Sequence, residues 1–288
     1  MRRAIALSAF GLGSTSPNPP VGCVILGRTG KIVGQGYHQR KGSAHAEVNA
    51  LVAAGSRAHG GTALVTLEPC NHYGRTPPCH QALLDAGIAR IVIAVLDPTS
   101  RGEGGAARLR QAGVSVETGV LADEARLVLD PWLTALRMAR PMVVWSYVIE
   151  ADGGIGRLAA EQFDRTADLI LHDDGTVEEV VTGSHGVGMV SLTPLNLAAD
   201  PQVALAELYR GGARSVILDG DSKMVEPFIM QGLVDQVVVY LVPHESPSQP
   251  LLGDGFFLPA GFRLTETTRC EGYVRVVAVL AKSGDGGE

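Results

Sequence analysis

Apolar positions along the chain recur at two spacings, and these set the predicted elements. Helical spacing runs over residues 4–10, ending at Gly11 and Gly13. It returns from His45 to residue 54, where Val48, Leu51 and Val52 supply the apolar face. Strand-like runs occupy 23–26 and 31–34, around a turn at 27–30, and then 63–67. After Cys79, the positions Ala82, Leu83 and Ala86 restore helical spacing until Gly87 stops it. Residues 90–96 form a nearly continuous apolar run, as in a strand covered on both faces. A helix over 103–112, a short strand over 114–118 and a helix over 123–137 complete this half. Pro141 then opens the strand MVVWSYVIE. Beyond it the pattern predicts a helix at 201–209, a strand at 215–218, a helix at 224–231, a strand at 234–240 and a closing hairpin over 265–281. The Pro- and Gly-rich stretch 245–258 reads as irregular loop, and the last residues as a solvated tail. Strands alternating with helices imply α/β layers, with functional groups at element ends. The joint between two domains is expected at 137–141, giving 1–140 and 141–288.

Composition narrows the class. A chain of 288 residues makes one large or two ordinary domains, and 45% hydrophobic residues suffice for substantial cores. A net charge of −6 argues against a nucleic-acid surface, while leaving room for a local basic pocket. Four cysteines are too few for a disulfide framework. Cys23 and Cys270 lie among apolar residues and read as core or near-core thiols, which fits a reducing cytoplasm. The opening MRRAIALSAF has too short an apolar run, and no small-residue cleavage site, for a signal peptide. No span reaches transmembrane length, so neither membrane nor nucleic acid is an expected partner.

The chemistry concentrates between His45 and Cys79. His45, Cys70 and Cys79 form a three-ligand zinc set, with Glu47 two residues beyond the histidine. Zinc takes imidazole and thiolate, and a catalytic zinc keeps a fourth position for water, whose pKa it lowers to about 7. Taken singly, each residue is more commonly a packed or surface side chain. Their joint placement is the signal, because His45 opens a helix and Glu68-Pro69-Cys70 ends a strand. The H-x-E and P-C pieces resemble those of zinc nucleobase deaminases, in which the glutamate moves protons and is not a ligand. Here eight residues, NHYGRTPP, separate the two cysteines, where the usual signature has two.

That insert, with 16-SPNPPVG-22, Gly36-Tyr37-His38, His45-Ala46-Glu47 and 68-EPCNHYGRTPPC-79, closely resembles the bifunctional deaminase/reductase family of riboflavin biosynthesis. The resemblance covers residues 1–140. It implies a cytidine-deaminase-like three-layer α/β domain and hydrolytic deamination of 2,5-diamino-6-(ribosylamino)-4(3H)-pyrimidinone 5′-phosphate. It further implies that Asn18, His38, Asn71 and His72 line the ring and ribose, with Arg75 near the phosphate. Without it, the Asn18 loop is equally a plain turn and His38 an ordinary loop histidine.

Over 141–288 the resemblance is partial and implies a shortened dihydrofolate-reductase-like α/β domain. Residues 150–154 replace the family's Ser-Leu-Asp-Gly-Arg-like turn. Its Trp-Ile-Thr and Asp-Asp-Pro signatures have no counterpart, and 163–168 passes almost directly into Leu169 and Ile170, as if an inner block were missing. Asp219-Gly220-Asp221 replaces a Glu-Gly-Gly turn, and the added carboxylate opposes a cofactor phosphate, which argues against NADPH binding. The glycine run 183–188 lacks the strand–helix frame of a phosphate loop. The family's second domain forms a dimer contact, so a homodimer through this half is expected; edges left by a missing block would favour it. The competing readings are a fully bifunctional deaminase/reductase, a deaminase diverted to a specialised branch pathway and a non-catalytic zinc-stabilised scaffold. Glu47 speaks against the last, since a structural zinc does not need it.

Overall fold

The computed structural model describes residues 1–72, 77–100, 103–149, 154–156, 166–180, 200–220, 222–241, 258–270 and 272–281. The chain divides into two compact units, and the change from Leu133 to Thr134 falls inside one helix.

In the first unit, helix α1 (Arg2–Ala9) precedes strands β1 (Gly22–Leu26) and β2 (Ile32–Tyr37). Helix α2 (Ala46–Ala54) and strand β3 (Thr62–Leu67) follow, then α3 (Cys79–Asp85), β4 (Arg90–Val95), α4 (Gly104–Gln111), β5 (Ser115–Thr118) and α5 (Ala122–Met138). The strand order is β2-β1-β3-β4-β5, with β1 antiparallel to both neighbours and β3, β4 and β5 parallel. The apolar run of β4 is buried at every position after Arg90, as its lack of alternation predicts.

Alternation along β1 assigns the layers. Val24 packs with Ala4 and Leu7 of α1. Cys23 and Ile25, on the other face, pair with Gly36 and Gly34 of β2, and α2 covers those glycines. A Cβ at Gly34 would lie 2.2 Å from the Ala50 carbonyl oxygen, and one at Gly36 would lie 2.6 Å from the Ala50 nitrogen. The helix therefore rests on bare strand backbone, and the sheet sits between helices on both faces.

In the second unit, β6 (Met142–Ile149), β7 (Ile155–Gly156), β8 (Leu169–His172) and β9 (Val177–Glu179) are followed by α6 (Pro201–Gly211) and β10 (Ser215–Asp219). Then come α7 (Ser222–Met230), β11 (Gln236–Leu241), β12 (Phe262–Cys270) and β13 (Tyr273–Leu280). Among the described residues the order is β12-β13-β11-β6-β10-β8-β9, with β7 beside β6. The expected closing hairpin is present as β12–β13. The two-residue β7 and three-residue β9 were too short to leave a periodic signal. Among the described residues β8 is paired on both sides, with β10 and with β9, and β9 ends that side of the sheet. Most of the 150–154 turn, the glycine run 183–188, residues 163–165, Asp221 and the loop from 245 to 257 lie outside the described residues. Among the described residues no helix is long and apolar enough to cross a membrane.

The strand predicted to begin at Val234 begins at Gln236, although the Asp235 backbone still bonds Val143 at 2.9 Å and Leu280 at 3.1 Å; the Asp235 side chain is held as well. Its carboxylate takes two hydrogen bonds from the Arg140 guanidinium, at 2.7 and 2.9 Å, and one from the Val143 amide at 2.8 Å. The pair locks the entry to β6 against the entry to β11, and its Arg140 side chain is only 9% exposed. Removing one member strands the other, so Asp235→Ala is expected to cost about 3–5 kcal/mol in urea unfolding. Replacing both, as Arg140→Met with Asp235→Leu, is expected to restore most of that loss.

Candidate metal centre and active site

Three element ends converge. His45 is the N-cap residue of α2, with φ −69° and ψ 165°. Cys70 follows the end of β3, and Cys79 is the first residue of α3. His45 Nδ1 lies 3.2 Å from Cys79 Sγ and 3.7 Å from Cys70 Sγ, and the three donor atoms lie within 4.8 Å of one another. Ligands about 2.0–2.3 Å from a tetrahedral zinc stand roughly 3.3–3.8 Å apart. The nitrogen and two sulfurs therefore fit zinc in both kind and spacing.

The electrostatics point the same way. Hydrogen bonds from the Cys79 thiol and from His45 bring the Cys70 thiol down to about 4. The hydrogen bond to Cys70, then burial, pushes the Cys79 thiol up. The Cys79 amide also donates to Cys70 Sγ at 3.2 Å. Hydrogen bonding to Cys70 raises His45. Glu47, in the first turn of α2, is 3% exposed, and burial raises its carboxyl above the usual range. Two sulfurs and a buried carboxylate in contact form a centre that a divalent cation would neutralise, and a coordinating thiol is deprotonated outright.

Of the expected substrate contacts, Asn18 and His38 are brought to this centre. His38 is buried, and burial lowers its pKa. Its Nδ1 lies 3.1 Å from the Ala44 carbonyl, to which it donates; Nε2 then accepts from Asn18 Nδ2 at 3.2 Å. The His38 ring also meets the His45 ring edge-on, with centroids 5.2 Å apart. Asn71 is half-buried and lines a cavity of about 550 Å³ with His80 and Arg108. His72 is exposed, and Arg75 lies outside the described residues. Cys23 is buried, as expected of a core thiol, and Cys270 is half-buried.

Sequence reasoning passed over three supporting residues. Asn49 Nδ2 donates to the Tyr37 carbonyl at 2.9 Å and the Ala44 carbonyl at 3.3 Å, fixing the chain just before His45. His80 Nδ1 donates to the Cys70 carbonyl at 3.2 Å. Glu68, quoted within the motif but given no role, is buried. Proximity to the ligands was the one available signal for all three.

Comparison with known proteins agrees with this geometry. Residues 1–95 match the family model described as cytidine and deoxycytidylate deaminase zinc-binding region, and residues 159–264 match the RibD C-terminal domain. The riboflavin biosynthesis protein RibD of Corynebacterium ammoniagenes is 36% identical over 285 residues, covering 84% of this chain and 83% of that protein. A diaminohydroxyphosphoribosylamino-pyrimidine deaminase of Buchnera aphidicola is 52% identical over 127 residues, covering 44% of this chain and 86% of that protein. The solved structure of Acinetobacter baumannii RibD, form 2, superimposes with a TM-score of 0.72 at 26% identity, covering 96% of this chain and 97% of that one. Fold and site define a zinc-dependent hydrolase of the deaminase class, with a cytidine-deaminase-like domain followed by a reductase-like α/β domain. The chain belongs to the RibD family of riboflavin biosynthesis proteins.

Metal removal gives a direct check. With free zinc at about a thousand times its dissociation constant, the loaded protein gains roughly 4 kcal/mol over the stripped form. Thermal unfolding with and without a chelator is expected to show that gap for the parent. Cys70→Ser and Cys79→Ser are each expected to remove it.

Proposed function

We propose that the chain deaminates 2,5-diamino-6-(ribosylamino)-4(3H)-pyrimidinone 5′-phosphate hydrolytically, within riboflavin biosynthesis or a pathway branching from it. On this reading residues 1–140 are the deaminase domain and 141–288 a reductase-like domain. The observation that carries it is the buried Glu47 carboxyl, in the first turn of α2 and beside Cys79 of the His45, Cys70 and Cys79 cluster. A zinc held only for structure has no use for an adjoining carboxylate that is not a ligand.

Bound zinc supplies a water acidic enough to act as nucleophile at neutral pH. Glu47 would take one proton from the attacking water and pass it to the ring nitrogen. It would then take the second from the resulting hydroxyl, as the carbon becomes a carbonyl, and pass it to the amine, which leaves as ammonia. His38 holds the Asn18 amide in one orientation, so that Asn18 meets the pyrimidine ring with a fixed donor–acceptor pattern. Asn71 and His72 are assigned to the ribose side, and Arg75 to the phosphate.

The second domain is proposed to have lost reductase activity. Asp219 ends β10 as a buried carboxylate held by His172 Nδ1 at 2.9 Å, and the Met224 side chain packs on Gly220. Both features support a turn closed to cofactor phosphates. Bifunctional activity is the second reading, favoured by the match of residues 159–264 to the RibD C-terminal domain. Among the described residues β12 pairs only with β13 and is mostly exposed over nine residues, which supports a homodimer through this unit.

The test incubates the zinc-loaded chain with the diaminopyrimidine ribotide, with and without NADPH. Ammonia release without NADPH oxidation is expected. Oxidation coupled to a ribityl product would establish the bifunctional reading. Glu47→Gln is expected to keep its zinc and lose at least about 10²–10⁴-fold in turnover, the usual worth of a general acid–base. A Glu47→Gln variant as active as the parent would overturn the mechanism.

A further inference from the structure

Glu68 stands two residues before Cys70, buried, with its carboxylate surrounded by donors from a single segment. Oε2 accepts from the Asp97 amide at 3.2 Å and the Ser100 hydroxyl at 3.1 Å, and Oε1 accepts from the Ala106 amide at 2.9 Å. All three donors belong to the connection from β4 into the first turn of α4. That helix has Glu103 as its N-cap residue, without a side-chain cap of its own. Glu68 therefore caps it from across the fold, satisfying an otherwise free N–H and placing negative charge at the positive end of the helix.

The helix start is shaped to allow this. Gly104 has φ +73°, and a Cβ there would lie 2.3 Å from Glu68 Oε1. A Cβ at Gly105 would lie 2.0 Å from the Pro69 carbonyl oxygen. The glycine pair thus lets the α4 backbone meet the Glu68 carboxylate and the Pro69 carbonyl. The Glu68 amide is tied in turn to the Val95 carbonyl at 2.9 Å. Pro69 has a ring-fixed φ, so few soft torsions separate the anchored Glu68 from Cys70.

We infer that Glu68 is a positioning residue for the metal centre: its carboxylate, gripped by the β4–α4 segment, sets the path of the chain into Cys70. The inference rests on the reading of Cys70 as a zinc ligand. Metal–ligand distances tolerate only about 0.2 Å, so a small shift in the chain at Glu68 reaches the sulfur as weakened binding. Glutamine in its place would turn an NH₂ group toward at least one of the donors that the carboxylate now accepts.

The experiment follows zinc release from the loaded full-length chain to a chromophoric chelator, and the thiolate-to-cobalt absorption of the cobalt-substituted protein. Glu68→Gln is expected to release zinc about 10–100-fold faster, the usual effect of losing a partner that orients a ligand. Its cobalt spectrum is expected to shift. Ser100→Ala, which removes one donor, is expected to change both in the same direction by less, and it carries the test if Glu68→Gln does not fold. Leu109→Ala loosens α4 from its buried face without touching the carboxylate, and is expected to release zinc near the parent rate. Parent-like release in Glu68→Gln, or equally fast release in Leu109→Ala, would overturn the inference and leave Glu68 a helix cap alone. Zinc content of Cys70→Ser separates the two readings. Full, tight loading there would remove the ligand reading and the inference with it. A zinc-free Cys70→Ser beside a parent-like Glu68→Gln would sink the inference alone.

Discussion

The site depends on how closely α2 can lie on the sheet. The helix reaches β2 at two glycines, with the Ala50 backbone where their side chains would be. Larger residues at Gly34 or Gly36 would push the helix outward, and its first turn carries both the imidazole and the carboxylate of the centre. Asn49 sets the remaining degree of freedom by bonding the end of β2 and the peptide before His45. Sheet packing and catalytic geometry are consequently one constraint, which explains small residues on a strand whose neighbours are apolar.

A second constraint is charge. The centre gathers a thiolate at Cys70, a second thiol at Cys79 and the buried carboxyl of Glu47. Without a cation, the two sulfurs share protons and burial holds Glu47 toward its neutral form. A divalent cation would balance the charge these groups gain when deprotonated. The site's other supports are hydrogen-bond donors: the Cys79 amide on Cys70 sulfur, and His80 on the Cys70 carbonyl. These hold the Cys70 loop without competing for the metal.

The second unit holds one sheet among its described residues. Strand β8 lies directly against β10, and their ends are joined by the His172–Asp219 contact. The starts of the same two strands are joined by Asp168, which accepts from the Arg214 and Ser215 amides at 2.7 and 3.0 Å. Buried polar groups tie both ends of this pairing.

Much of the molecule was legible in the residues themselves. Helical and strand periodicity identified the major described elements, and the His45, Cys70 and Cys79 set announced its metal because zinc chemistry demands those atoms. The Cys-to-Cys insert carried the family, since its length and composition are particular. Other features arise between segments distant in sequence. The entry to β11 is tied to that of β6 by Asp235 and Arg140, 95 positions apart. Glu68 gained its partners from residues 97–106, and a carboxylate beside a proline gives no hint that a helix start will be folded over it. His38 could be named but not oriented until the Ala44 carbonyl fixed its tautomer. Local pattern reflects what each side chain prefers, so the sequence alone determined elements, ligands and family. Register, close backbone approach and buried hydrogen bonds depend on which surfaces meet, and only the tertiary structure decided those.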